Sequence, residues 1–318
     1  MKSAAQTLRA RLQEADTHLR ARRPAQAEHV CAEILAVRPD VAEAHLIRAR
    51  ARQMRGFYEG MLESVEAACA AQPAAPLATL MRIEALICLG EIAAACESLK
   101  ALKARSGAKD AMLLARIAEL ETQLGRHVDA LATLRKAAAL EPQDTAIAYN
   151  LASAEIANGE LAAAEEHLDT LIAGKARDYD AYYNRATLRS QTAESNHINE
   201  LRAQLEGNPN AGGEVALCYA LAKELEDLGE YDESFRYLKR GANARHNRLQ
   251  YRVEADIAAM EKIARTFDEA YLKAAGGDAG EGAIFIIGLK CCSHGCRGGR
   301  APVYASHAGA QQRFPIRY

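Results

Sequence analysis

The chain has 318 residues, 49% of them hydrophobic and 26% charged, with 40 basic against 42 acidic side chains and a formal net charge of −2. That is ordinary globular composition with length enough for a sizeable core, and it carries no overall pull towards nucleic acid. No apolar run approaches the ~20 residues of a membrane span, and the opening MKSAAQTLRARLQEADTHLR has no signal-like apolar stretch, so a cytoplasmic chain with neither membrane nor nucleic-acid partners is expected.

Taken from the N-terminus, the chain repeats itself. Pro39 and Pro73 lie 34 residues apart, as do Gly125 and Gly159, and Tyr149-Asn150 returns 34 residues later as Tyr183-Asn184. A fixed period of this size predicts a helix-turn-helix array. Units are expected at 8–41, 42–75, 76–110, 111–144, 145–178, 179–212 and 213–246, the third being one residue longer. Ala27, Cys31 and Ile34 precede Pro39 in the first, and Met61, Val65 and Ala68 precede Pro73 in the second. The clearest unit is 111–144. Leu114, Ile117, Ala118 and Glu121 follow helical spacing up to Gly125, and Ala130, Leu134 and Ala137 run on to Pro142. The small-large-small pattern of the second helix resembles the tetratricopeptide repeat, in which small residues let two helices approach and the large one fills the groove. Ala164, Leu168 and Leu171 repeat the pattern. The sixth unit is degenerate, since QTAESNHINEL has no turn glycine, whereas Gly229, Ser234, Leu238 and Gly241 restore the pattern in the seventh.

Stacked units share one core and are expected to leave a concave face lined by the first helix of each. Tyr149, Tyr183 and Tyr219 occupy equivalent places on successive first helices, with Asn150, Asn184 and Arg185 beside them. Aromatic and amide side chains at fixed intervals suit a protein or peptide segment that stacks on rings and bonds through its backbone. The same spacing also fits tyrosines packed between repeats.

Residues 247–275 stay helical but leave the period. Val253, Ile257, Met260, Ala264, Phe267 and Tyr271 form one narrow apolar seam, expected to cap the array or to link it onward through a loop to residue 283. Ile284-Phe285-Ile286-Ile287-Gly288 reads as a buried strand ending on glycine. The repeats, the stretch Gly229-Glu230-Tyr231-Asp232-Glu233-Ser234-Phe235, the helix around Val253-Glu254-Ala255-Asp256-Ile257 and this strand together resemble the bacterial tetratricopeptide-repeat sulfotransferases over about residues 1–289. That resemblance implies transfer of a sulfuryl group from 3′-phosphoadenosine-5′-phosphosulfate to a protein or peptide hydroxyl. The donor loop of the family does not follow. Lys290-Cys291-Cys292-Ser293-His294-Gly295-Cys296 stands there instead, and only 29 residues remain after Leu289.

The tail differs in kind. Lys290, Arg297, Arg300, Arg313 and Arg317 face no acidic residue beyond Glu281, and 9 of the 21 glycines fall in the last 43 residues. Residues from Lys290 onward are therefore expected to be a disrupted, disordered continuation of a transferase gene, without catalytic or cofactor-binding residues. Cys291, Cys292, His294, Cys296 and His307 lack the paired spacing of a structural zinc site, so no metal is expected. Cys31, Cys69, Cys88, Cys96 and Cys218 are single and flanked by apolar residues, as buried free thiols are. The expected whole is an all-α right-handed superhelix over 1–246, a helix and loop over 247–283, and an isolated strand with its tail over 284–318. Its function is expected to be a peptide-binding scaffold, with a truncated sulfotransferase as the alternative.

Overall fold

The computed structural model describes residues 4–73, 75–106, 109–174, 179–249 and 251–274, and all regular structure among them is helical. The strand expected at Ile284–Gly288 and the tail beyond it lie outside the described residues. Residues separate between Ala242 and Asn243 into two units.

In the first unit, helices come in pairs joined by turns of three or so residues. The pairs are α1 (Ala4–Arg20) with α2 (Pro24–Val37), α3 (Ala42–Met54) with α4 (Tyr58–Ala71), and α5 (Pro76–Cys88) with α6 (Ile92–Ser106). After these come α7 (Ala111–Gln123) with α8 (His127–Leu140) and α9 (Thr145–Asn158) with α10 (Leu161–Ala173). The series closes with α11 (Tyr179–Thr187) and α12 (Ile198–Glu206), then α13 (Ala211–Asp227) and α14 (Tyr231–His246).

The turn within a pair is made locally. Gly56, Gly90, Gly125, Gly159 and Gly229 all have φ between 72° and 79°, the left-handed region that costs glycine nothing. In each case the residue after the glycine donates its N–H back across the turn, as Arg126 does to the Glu121 carbonyl at 2.8 Å and Glu160 to Glu155 at 2.9 Å. This closes the carbonyls that a helix end leaves open. The first pair makes the same turn without glycine. Arg22 sits at φ 54° and Arg23 donates to the His18 carbonyl at 2.8 Å. Several first helices are also capped at their start. Asp144 accepts from the N–H groups of Ala146 and Ile147, Asp110 from Leu113 and Asn210 from Gly213.

The pairs close on the positions the repeat pattern singles out. Ala27, Met61, Ala95, Ala130 and Ala164 are at most 1% exposed, and Cys31, Val65, Leu99, Leu134 and Leu168 pack behind them. Leu238 departs from that pattern. It is 46% exposed, because α14 is the last helix of the unit. Core clusters bridge neighbouring pairs, so each unit completes its apolar stripe against the next.

Charge is buried between pairs as well. Glu121 of α7 is fully buried, takes a hydrogen bond from Thr133 of α8 at 2.7 Å and is ion-paired to Lys103 of the preceding α6. Glu155 of α9 repeats the arrangement with His167 of α10 at 2.8 Å, and Arg52 of α3 with Ser64 of α4 at 3.2 Å. Arg52 also reaches Glu28 of α2 at 2.8 Å, and Arg189 reaches Glu165 of α10 at 3.1 Å. A charge withdrawn from water costs several kcal/mol unless its partner is in place, so Lys103–Glu121 and Arg52–Glu28, which cross from one pair to the next, penalise stacking out of register.

The second unit contains α15 (Val253–Thr266) and α16 (Glu269–Ala274). The single seam expected over 247–275 is thus divided. Asp268 ends the run by accepting the Tyr271 N–H at 2.8 Å, which starts α16 afresh. Phe267 and Tyr271 meet edge to face at 5.0 Å across this break.

Candidate functional site

First helices touch at three steps of the array, α1 with α3, α5 with α7 and α11 with α13, and Asn184 of α11 bonds Tyr149 of α9. The six residues expected to form a groove gather towards the array's C-terminal end, at two depths. Tyr149 is 1% exposed and its hydroxyl accepts a hydrogen bond from Asn184 Nδ2 at 2.9 Å. Asn150, Asn184 and Arg185 are buried too. Arg185 bonds Asp169 of α10 at 2.7 Å and Glu200 of α12, and its guanidinium lies 5.7 Å from the Tyr182 ring centre. These four residues stand inside the wall. Tyr183 and Tyr219 remain half-buried, edge to face with ring centres 6.5 Å apart.

The half-buried pair is held from behind. A Cβ at Gly241 of α14 would stand 2.9 Å from a Tyr219 ring carbon and 3.0 Å from Cys218 Cβ, so only glycine lets the ring lie against that helix. A Cβ at Gly213 would stand 2.4 Å from the ring of Tyr179, which stacks on Tyr182 at 6.4 Å. The short α11 therefore presents its tyrosines to both sides of a crowded corner.

A second group on the same face escaped sequence reading. Glu84 of α5 is ion-paired to Arg116 of α7, which also bonds Glu119 at 2.7 Å. Burial pushes the Glu84 carboxyl above its ordinary value; Arg116 and Arg50 pull it back, and Glu119 adds to the rise. The signal was present in the period, since Arg50, Glu84 and Glu119 recur one unit apart.

Burial also settles the described thiols. The Cys31 thiol is pushed up to about 12 and that of Cys218 to about 11, both chiefly by loss of water, so neither is a ready nucleophile at neutral pH. Among the described residues no group of three or more His, Cys, Asp or Glu side chains could hold a metal ion. The cluster Cys291, Cys292, His294, Cys296 and His307 lies outside them. No described helix is long and apolar enough to cross a membrane.

The tetratricopeptide-repeat family model matches residues 121–190, which span α7 to α11. No curated protein matches the chain. Among solved structures it is similar to a tetratricopeptide repeat protein from Parabacteroides merdae, at 16% identity and a TM-score of 0.51, over 79% of this chain and 96% of that one. It is also similar to pilF of Pseudomonas aeruginosa, at 16% identity and a TM-score of 0.50, over 74% of this chain and 99% of that one. The described residues fold as an all-helical solenoid like those of tetratricopeptide-repeat proteins, and residues 121–190 carry the repeat itself. The likeness to sulfotransferases, drawn over about residues 1–289 from the repeats, Gly229–Phe235, the helix around Val253–Ile257 and the strand at 284–289, finds no support in these matches, and the strand lies outside the described residues.

Proposed function

We infer that this tetratricopeptide-repeat chain is a protein-binding scaffold that holds an extended peptide segment on its first-helix face, centred on Tyr183 and Tyr219. The observation that carries this reading is the half-buried edge-to-face pair they form. A ring kept half in water by a rigid backing offers a large apolar contact at little further entropy cost, which is the character of a binding hot spot. Tyr149, Asn150, Asn184 and Arg185 act in this reading as the backing, fixing α11 against α9, α10 and α12 rather than touching the partner. No cofactor, membrane or nucleic acid is called for.

The test is to select peptides on the full chain from a random library and measure their affinity by calorimetry. Tyr183→Ala and Tyr219→Ala should each weaken selected peptides by about 1–3 kcal/mol, with helicity and melting temperature retained. Peptides that bind the double variant as well as the parent would remove this face from the reading.

A further inference from the structure

Helices α7, α8 and α9 line a cavity of about 150 Å³ that no described element fills. Its lining includes Ala115 and Glu119 of α7 and Ser153 and Ala157 of α9, all on first helices, and Ala157 and His127 are its exposed members. Its walls are made by alanines, Ala115 and Ala118 on one side and Ala154 and Ala157 on the other, with Leu134 of α8 behind. Side chains this short cannot meet across the gap.

Three polar side chains around the cavity bond to backbone, Glu119 of its lining takes a bond from Arg116, and Asn150 and His127 complete the polar part of the lining. The Thr122 hydroxyl donates to the Ala118 carbonyl at 2.9 Å, and the Ser153 hydroxyl donates to that of Tyr149 at 2.9 Å. The Asn158 amide donates to the carbonyls of Ala154 at 2.7 Å and His127 at 3.0 Å. With those three donors spent on backbone, the space presents mostly methyl groups and methylenes. A buried water needs two to four polar partners, whereas an apolar space of about 150 Å³ stays dry and takes a molecule of the size of benzene.

We propose that this cavity is a specificity pocket that seats one phenyl-sized apolar side chain of the bound peptide. The assignment rests on the reading of the first-helix face as peptide-binding and adds the chemistry of the residue it selects. An extended segment lying along the face passes Ala157 of α9 before it reaches Tyr183 and Tyr219. Phenylalanine fills the space; glutamate would give up hydration beside the Glu119 carboxylate, and serine would leave most of the space empty.

The test uses the full chain and two readouts. First, benzene is titrated into protein carrying labelled alanine methyls. Saturable shifts are expected at Ala115, Ala118 and Ala154. Second, Ala157, which is exposed at the mouth, is replaced to give Ala157→Phe, a change that plugs the opening without entering the core. Phenylalanine-containing peptides selected on the parent should lose roughly tenfold or more in affinity, and the benzene shifts should vanish. Absence of saturable methyl shifts in the parent overturns the pocket even if Ala157→Phe misfolds. Peptides that depend on Tyr183 and Tyr219 but ignore Ala157→Phe also overturn it, and leave the wider reading standing. Benzene binding with no peptide bound at all refutes both the wider reading and the proposed occupant.

Discussion

The fourth helix pair and the sixth solve the same problem in different ways. In the fourth, α7 and α8 have 13 and 14 residues and turn on Gly125, with the N–H groups of Leu124, Gly125 and Arg126 all bonded back to α7. In the sixth, α11 and α12 have only nine residues each, and the position one period after Gly159 is Ala193. No left-handed glycine turn forms there. The connection instead borrows carboxylates from α13. Asp227 accepts the Gln191 N–H at 2.8 Å, and Glu224 takes both the N–H of His197 at 2.7 Å and its Nδ1 at 2.9 Å. Pairs with a left-handed residue at this point, glycine in five and Arg22 in the first, close their own turn, whereas the sixth leans on its neighbour. The borrowing is incomplete, since Gln191 Oε1 and Arg185 Nε are buried without a hydrogen-bond partner.

Removing the borrowed groups should therefore hurt more than removing the equivalent charge in a self-sufficient pair. Glu224→Ala leaves both the backbone N–H and the ring Nδ1 of His197 without their buried partner, and should cost about 3 kcal/mol in urea unfolding. Glu121→Ala, at an equally buried carboxylate, leaves Lys103 with a 37% exposed side chain that water can reach, and should cost about 1–2 kcal/mol. Equal losses would erase the distinction between the two pairs.

Cys218 reports the same dependence as a rate. It lies on α13 within the core shared with the sixth pair, and burial holds its thiol protonated up to about pH 11. Because the folded thiol value is raised, its contribution to stability is present below the ordinary thiol range and is lost as pH climbs towards about 11. At pH 8, disulfide reagents should then reach Cys218 only after α13 opens. Glu224→Ala should speed that labelling by roughly tenfold or more, and Glu121→Ala should leave it unchanged. Faster labelling in both variants would mean that the array opens as one body.

Smaller effects lie in the turns themselves. Nothing stands within 4 Å of where a Cβ would be at Gly125, so Gly125→Ala tests backbone conformation alone and should cost about 1–2 kcal/mol. Arg22 holds the matching place in the first pair at φ 54°, and Arg22→Gly should gain up to about 1 kcal/mol. A loss in thermal midpoint from Arg22→Gly would show that the arginine side chain contributes more than its backbone costs.

Legibility followed the range of each interaction. Helices, their pairing and most turns could be read, because apolar spacing and a left-handed glycine act within a few residues. Asp268 was visible in the sequence, but the uninterrupted apolar seam around it concealed its role as the start of a new helix. The site was legible as a set of recurring tyrosines and asparagines. Its division into Tyr149, Asn150, Asn184 and Arg185 within the wall and Tyr183 and Tyr219 at the surface was not. That division depends on Asn184 meeting Tyr149 across 35 residues and on Gly241 admitting the Tyr219 ring.

By itself, then, the 34-residue period determined the all-helical repeat, since each helix satisfies its own backbone and each glycine its own turn. Only the tertiary structure decided which side chains water can reach, how the sixth pair is held, and where alanines leave an open cavity. Periodicity places a residue on a face; burial is a property of what the neighbouring helix brings against it.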